Sequence, residues 1–342
     1  MADLELGLDT FGDLTSGGEG RPLSHAQVIR DVVEEGVLAD QVGLNAFNVG
    51  EHHREDFAVS SPEMVLAAIA ARTQTIKLGS AVTVLSSDEP VRVFQRFSTL
   101  DAVSNGRAEV IVGRGSFTES FPLFGYDLNA YERLFEEKLD LFALLAREPK
   151  VSWRGSVRPP LKDQAVFPPV EGGRLKTWVG VGGSPQSVVR AVRHDLPVML
   201  AIIGSDPQRF APYVDLYHRA CDELGRTPQP IGVHSPGYVG ETDEQAAADF
   251  FTPYKAMRDR IGADRGWPPM PRAEFDAEVS GGSLYVGGPE TVARRIAATA
   301  KALGLGRFDL KYSAGPLAHG KLMRNVELYG TRVAPLVRDM LA

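Results

Sequence analysis

Short β-branched or apolar runs alternate with longer stretches of helical spacing from one end of the chain to the other. The runs predict strands at residues 4–9, 46–49, 77–82, 108–112, 177–181, 198–202, 231–239 and 308–312. Helical spacing falls between them, at 24–42, 62–75, 90–103, 130–146, 187–194, 207–224, 244–261 and 289–303, and a last helix spans about 322–340. Eight β/α units in one run predict an α/β fold, a TIM (β/α)8 barrel, with residues 1–342 as one domain. Two segments break the rhythm. Residues 148–174, rich in Pro, Gly and basic side chains, read as an irregular insertion between strands 4 and 5. Residues 261–283, with Trp267 and three prolines, read as a long loop between strands 7 and 8. A long loop inside a compact domain is usually functional, and in a barrel it is placed to act as a lid.

In such a barrel the chemistry lies where strands end and βα loops begin. Three polar stretches pass that test: "EHHRED" after "AFNV", "GRGSF" after "AEVIV" and "GVGGSPQS" after "TWVGV". Glu51, His52 and His53 suit a solvated loop, a metal site or a cofactor site. Successive residues on a strand end point to opposite faces, so the two histidines cannot share one ion without distortion. Strand 1 carries no histidine, and His234 and His319 have no carboxylate or second histidine close in sequence. No metal site is predicted.

The turn from Gly182 to Ser187 offers free backbone N–H groups, two hydroxyls and the positive end of a helix, a combination that binds phosphate. The same residues also fit a plain helix start, with Ser184 as cap and Pro185 in the first turn. A second Gly-Gly turn, at Gly287 and Gly288, is followed by Glu290, whose carboxylate repels an anion. Gly182, Gly183, Ser184 and Ser187 have no acid among them, which makes this turn the phosphate candidate. Arg114, between Gly113 and Gly115 one strand away, reads either as a structural salt bridge or as a partner of the same phosphate. Gly79, Ser80 and Ala81 at the top of strand 3 leave room for a flat ring against the backbone.

Composition narrows the classes. The 342 residues carry a net charge of -7, so the chain lacks the basic footprint of nucleic-acid binding. The longest apolar run, "LPVMLAII", is strand-sized, well short of the ~20 residues of a membrane span. An acidic N-terminus without a basic, apolar leader and a single cysteine, Cys221, predict a cytoplasmic protein without disulfides.

These motifs occur in an order that resembles the bacterial luciferase-like flavin monooxygenase family. The likeness rests on "EHH" after strand 2, "GSAVTVL" with "EPVR" after strand 3, "SNGRAEVIVGRG" at strand 4 and "GGSPQS" at strand 5. The ending "FDLKYSAGPLAHGKLMRNVELYGTRVAP" is also similar to members of that family. The resemblance implies a TIM barrel that uses reduced FMN and O2 to oxygenate a small organic substrate, an aldehyde among the candidates, through a C4a-peroxyflavin. A separate flavin reductase would supply the reduced FMN, since no dinucleotide fingerprint is present. By the same resemblance His52 is the active-site histidine beside the flavin, with Glu51 or a backbone carbonyl setting its tautomer. Ser80–Ala81 is a non-prolyl cis peptide under the ring. Arg114, Ser184 and Ser187, with Gly182 and Gly183, hold the FMN phosphate. The helices after strands 2 and 3 form a homodimer interface. Phe11, Phe117, Trp267 and the 10–22 loop shape the substrate pocket. Two positions depart from the luciferase catalytic subunit: Gly113 stands where it has a reactive cysteine, and Gly183 where it has an acid. Both speak against long-chain aldehyde oxidation and light emission. A deazaflavin-dependent dehydrogenase of the same superfamily, a non-catalytic flavin-binding protein and a metal hydrolase are the alternatives.

Overall fold

The computed structural model describes residues 4–17 and 20–342. Positions 18 and 19 of the expected 10–22 pocket loop lie outside the described residues. Eleven strands are found among them: β1 Glu5–Thr10, β2 Ala46–Val49, β3 Lys77–Val84, β4 Glu109–Gly113, β5 Val151–Trp153, β6 Leu161–Gln164, β7 Lys176–Val181, β8 Val198–Ala201, β9 Ile231–Val239, β10 Tyr285–Gly287 and β11 Arg307–Lys311. Eight of these close a parallel barrel in the order β1-β2-β3-β4-β7-β8-β9-β11, with β11 returning to β1 and β8 pairing β9. They are the eight strands expected, and helices surround them. The short β10 extends the sheet beyond the barrel by pairing with Gly237–Val239, the C-terminal part of β9.

The two interruptions hold more structure than their composition suggests. The insertion at 148–174 contains an antiparallel hairpin of β5 and β6. The expected loop at 261–283 is largely helical. A helix spans Asp243–Arg265, ends at Gly266 in the left-handed region, and is followed by a second helix at Arg272–Gly281. The first is the helix expected at 244–261, carried four residues further, although it holds Pro253 in its interior and buries few residues. Prolines 268, 269 and 271 confine the irregular backbone to a short connection. The expected C-terminal helix is two helices, His319–Leu328 and Ala334–Leu341, joined by a π-helical turn.

Outside the barrel, apolar side chains such as Leu6, Leu8, Phe47, Val110 and Val179 are fully buried. The barrel's lower interior is polar instead. Arg307 is fully buried and donates through Nε to both oxygens of Asp309 (2.9 and 3.0 Å), and it also pairs Glu109. Asn48 donates to Asp309 at 3.1 Å. These long side chains fit because their neighbours are glycines. A Cβ at Gly7 would lie 2.1 Å from Asp309 Oδ1, and one at Gly79 2.4 Å from Asn48 Oδ1. Gly79 therefore makes room for Asn48, not for a flat ring. The cluster turns the barrel bottom into a closed charged plug. Inside the barrel, room for a ligand lies above it.

Candidate active site

Above that plug, at the C-terminal end of the strands, lies a cavity of about 310 Å³. Its walls come from Phe11, Phe57, Val82, Ile111, Phe117 and Met199, with Glu51, His52 and His53 on one side and Asp9, His234 and Lys311 on the other. Tyr254, Met257 and Ile261 of helix Asp243–Arg265 roof it, together with Trp267 just beyond. The lid is thus a helix end rather than a loop. Charge pairs hold it down: Arg54 of the β2 loop bonds Glu119 (2.6 Å) and Asp264 (2.8 Å), Arg260 pairs Asp56 (3.6 Å), and Arg265 donates to the Ser116 carbonyl (3.2 Å). Arg265 also sits over the Phe117 and Trp267 rings, at 5.3 and 5.2 Å.

His52 leaves the top of β2 and enters a box of three phenyl rings, Phe11 (4.8 Å), Phe57 (4.3 Å) and Phe117 (4.8 Å). Its Nε2 is buried and has no hydrogen-bond partner. Loss of water in this box, only partly offset by the charge of Asp13, pushes the imidazole pKa down to about 3. His52 is therefore neutral at ordinary pH. Glu51 does not set its tautomer as expected. One Glu51 oxygen lies 2.8 Å from His53 Nε2, and the other accepts the Val84 backbone N–H at 3.0 Å. Glu51 instead ties the β2 loop to the end of β3.

The top of β3 differs from expectation by one residue. The non-prolyl cis peptide joins Ala81 to Val82, not Ser80 to Ala81, at the place where the β3–β4 register shifts. Ser80 is fully buried; its hydroxyl contacts the Ile111 carbonyl (3.3 Å) and accepts from Thr83 (2.8 Å). Ala81 and Val82 are the residues that face the cavity. Val82 also explains Gly113, since a Cβ there would lie 2.7 Å from Val82 Cγ2.

The phosphate candidates lie outside the cavity, beyond Gly115 and Gly180, which line its edge. Helix Pro185–Arg193 begins after Ser184, whose side chain makes no capping bond and donates to Gln186 (2.9 Å). Ser184 is thus the N-cap by position only, and its hydroxyl would have to leave Gln186 to donate to a phosphate. Gly182 is open on its side-chain face, and Gly183 has φ of +108°, which favours glycine. The turn itself carries no acid, as the sequence shows, but one reaches the neighbouring arginines from another helix. Glu132, at the start of helix Tyr131–Leu145, pairs Arg114 and comes within 3.5 Å of Arg190 Nη2. Arg190 in turn lies 3.5 Å from the Ser187 hydroxyl. Sequence reasoning misses Arg190, although its position three residues after Ser187 puts it on the same helix face.

It also misses the opposite wall. Asp9, completely buried, bonds His234 Nδ1, while Lys311 Nζ bonds both Asp13 oxygens (3.0 and 2.8 Å) and sits 4.8 Å from the Phe11 ring centre. Burial alone would raise the Asp13 carboxyl, but Lys311 and hydrogen bonds from Ser313 and Gly315 outweigh it and hold the group below its usual range. Of the expected pocket residues, Phe11, Phe117 and Trp267 all line the cavity. No group of three or more metal-ligating side chains occurs among the described residues.

A family model described as luciferase-like monooxygenase matches residues 10–306. The chain belongs to the luciferase-like monooxygenase family. Among relatives of this family member, limonene 1,2-monooxygenase of Rhodococcus erythropolis is 30% identical over 220 residues, covering 61% of this chain and 55% of that protein. Across four curated relatives the aligned stretch spans 34–65% of the relative's own length. The fold is similar to that of monooxygenase RslO1 from Streptomyces bottropensis, with a TM-score of 0.84, 21% identity, and 97% and 99% of the two chains covered. It is also similar to the oxygenating constituent of 3,6-diketocamphane monooxygenase from Pseudomonas putida, solved with FMN, with a TM-score of 0.77, 21% identity, and 97% and 98% covered.

Proposed function

We propose that the protein is a flavin-dependent monooxygenase that uses reduced FMN and O2 to oxygenate a small, largely apolar organic substrate. The observation that carries this reading is the buried, unpartnered Nε2 of a neutral His52, facing an apolar cavity beside the Ala81–Val82 ledge. A buried polar atom without a partner is costly unless a ligand supplies one. The residues present fit the flavin. Ala81 and Val82 would support the ring, and Arg114, Ser184, Ser187 and the N–H groups of Gly182 and Gly183 would hold the phosphate. Glu132, more than half exposed, is free to swing off Arg114 when a phosphate arrives.

Bound as reduced FMN, the cofactor would supply the electrons that activate dioxygen. The chain's own residues then have three tasks. The phenyl rings and the helix lid exclude water from the reacting centre. Neutral His52 offers a hydrogen-bonding nitrogen at a fixed place. Arg54 keeps the lid closed over both; its partial burial is outweighed by Glu119, Asp264 and Asp56, which hold it firmly charged. No Gly-rich dinucleotide turn accompanies the site, so reduced flavin would come from a separate reductase. Exposed Met64 on helix Pro62–Ala70 and Val103 on helix Pro90–Ser104 support a homodimer through these helices. No helix among the described residues is long and apolar enough to cross a membrane.

Quenching of flavin fluorescence tests the binding part: FMN should bind one per chain, and deazaflavin should bind more weakly. His52→Ala should keep FMN binding while uncoupling flavin oxidation from product formation. Full coupling in that variant would remove His52 from the chemistry.

A further inference from the structure

We propose that Asp9 and His234 form a second catalytic pair, in which His234 Nε2 delivers the proton that oxygen transfer consumes and Asp9 positions the imidazole. This rests on the flavin-dependent reading above. Oxygenation of a substrate S by anionic reduced flavin balances as FMNH⁻ + O2 + S + H⁺ → FMN + SO + H2O, so each turnover takes up one proton. His52 is a poor source of it. Three phenyl rings surround its imidazole, and burial holds it neutral down to about pH 3.

His234 has the opposite surroundings. It enters the cavity from β9 and stacks on Phe11 at 5.9 Å, the same ring that meets the His52 imidazole in a T-shaped contact at 4.8 Å. Its Nδ1 bonds Asp9 Oδ2. Asp9 is fully buried, and its second oxygen, Oδ1, has no partner. The bond to this buried carboxylate fixes the ring and assigns the proton on Nδ1, which leaves Nε2 as the nitrogen not held by Asp9. The other charged groups around His234 are committed elsewhere. Asp309, its register neighbour on β11, is bound by Arg307, and Lys311 on the same strand is bound by Asp13. The facing residue of β8, Ala201, does not titrate. Two histidines in one cavity, one driven neutral and one paired to a carboxylate, divide the acceptor and donor roles between them.

In the step itself the His234 Nε2–H bond breaks and an O–H bond forms on the oxygen that leaves as water. The imidazole is left neutral with its remaining proton on Nδ1, against Asp9. A proton from solvent restores it before the next turnover. No electrons move through the pair.

The experiment compares wild-type, Asp9→Asn and His234→Gln proteins, with His234→Ala for rescue. In the flavin-free protein, the proton NMR spectrum should show a far-downfield line for the Asp9–His234 hydrogen bond, shifted upfield in D9N and absent in H234Q. FMN should bind both variants within about twofold of wild type. Turnover of H234Q should fall by about 10²-fold with KM unchanged, the size expected for a missing general acid. Imidazole added to His234→Ala should restore turnover, which a purely structural role would not allow. The proposal is overturned if H234Q keeps the wild-type turnover and pH profile, or if the downfield line is missing or survives in H234Q. Should one variant fail to fold, the other carries the same NMR and kinetic readouts. Failure of the wild type to bind FMN defeats the flavin reading itself, and the proton-donor role of His234 falls with it. The NMR line would still report the pair.

Discussion

Lowering the pH from 7.5 to 5 should cost the folded protein about 2 kcal/mol through His52 alone. In the unfolded chain this imidazole takes a proton near pH 6.5; in the fold it resists protonation down to about 3. Above 6.5 both states are neutral and the group has no effect. Between 6.5 and about 3 the unfolded state binds the extra proton, so stability falls as pH falls, by about 1.36 kcal/mol per unit. From 6.5 to 5 that amounts to ~2 kcal/mol. His52→Leu keeps the phenyl box apolar and removes the titration. Urea unfolding at both pH values, in wild type and variant, isolates the contribution as a difference, since all other titrating groups are common to both. The variant should lose about 2 kcal/mol less than wild type. Equal losses, or a His52 ring proton that titrates near 6.5 by NMR, would refute the boxed, neutral histidine.

Other substitutions probe the remaining parts of the site. Gly113→Cys places a Cβ 2.7 Å from Val82 Cγ2, so it should cost about 1–3 kcal/mol in urea unfolding and weaken FMN binding by shifting the ledge. Asp13→Asn leaves Lys311 buried without its counter-charge and should cost roughly 3–5 kcal/mol, read in the same assay. Arg114→Gln removes a charged contact worth about 1.5–3 kcal/mol, so FMN should bind tenfold or more weakly in fluorescence titration. Glu132→Gln frees the same arginine and should tighten FMN; weaker binding would mean that Glu132 orients Arg114 rather than competing for it.

The barrel is legible in the sequence because its eight strands are separate apolar runs, each followed by helical spacing. The polar stretches at strand ends are legible for the same reason, since strand order alone puts His52 and Arg114 at one end of the barrel. What cannot be read depends on side chains meeting across the sheet. Asp9 and His234 are 225 residues apart, and neither has a local signal beyond being polar in an apolar strand. Glu132 reaches Arg114 from a helix start that follows no fixed offset. The cis peptide lies one residue along from its expected place, where the register with β4 shifts. Gly79 suggests space for a ring, yet Asn48 from the next strand fills it. The helix expected at 244–261 is legible and runs four residues further, whereas the helix Arg272–Gly281, which buries Phe275 alone, has no apolar face to reveal it.

The most direct test of the flavin-and-oxygen account is stopped-flow mixing of the protein, preloaded with reduced FMN without air, with oxygenated buffer. The account predicts an absorbance transient distinct from reduced and oxidised flavin, longer-lived than with free FMN and shortened when Arg114→Gln loosens the cofactor. Reoxidation at the rate of free flavin, with no transient and no difference between wild type and variant, would contradict it.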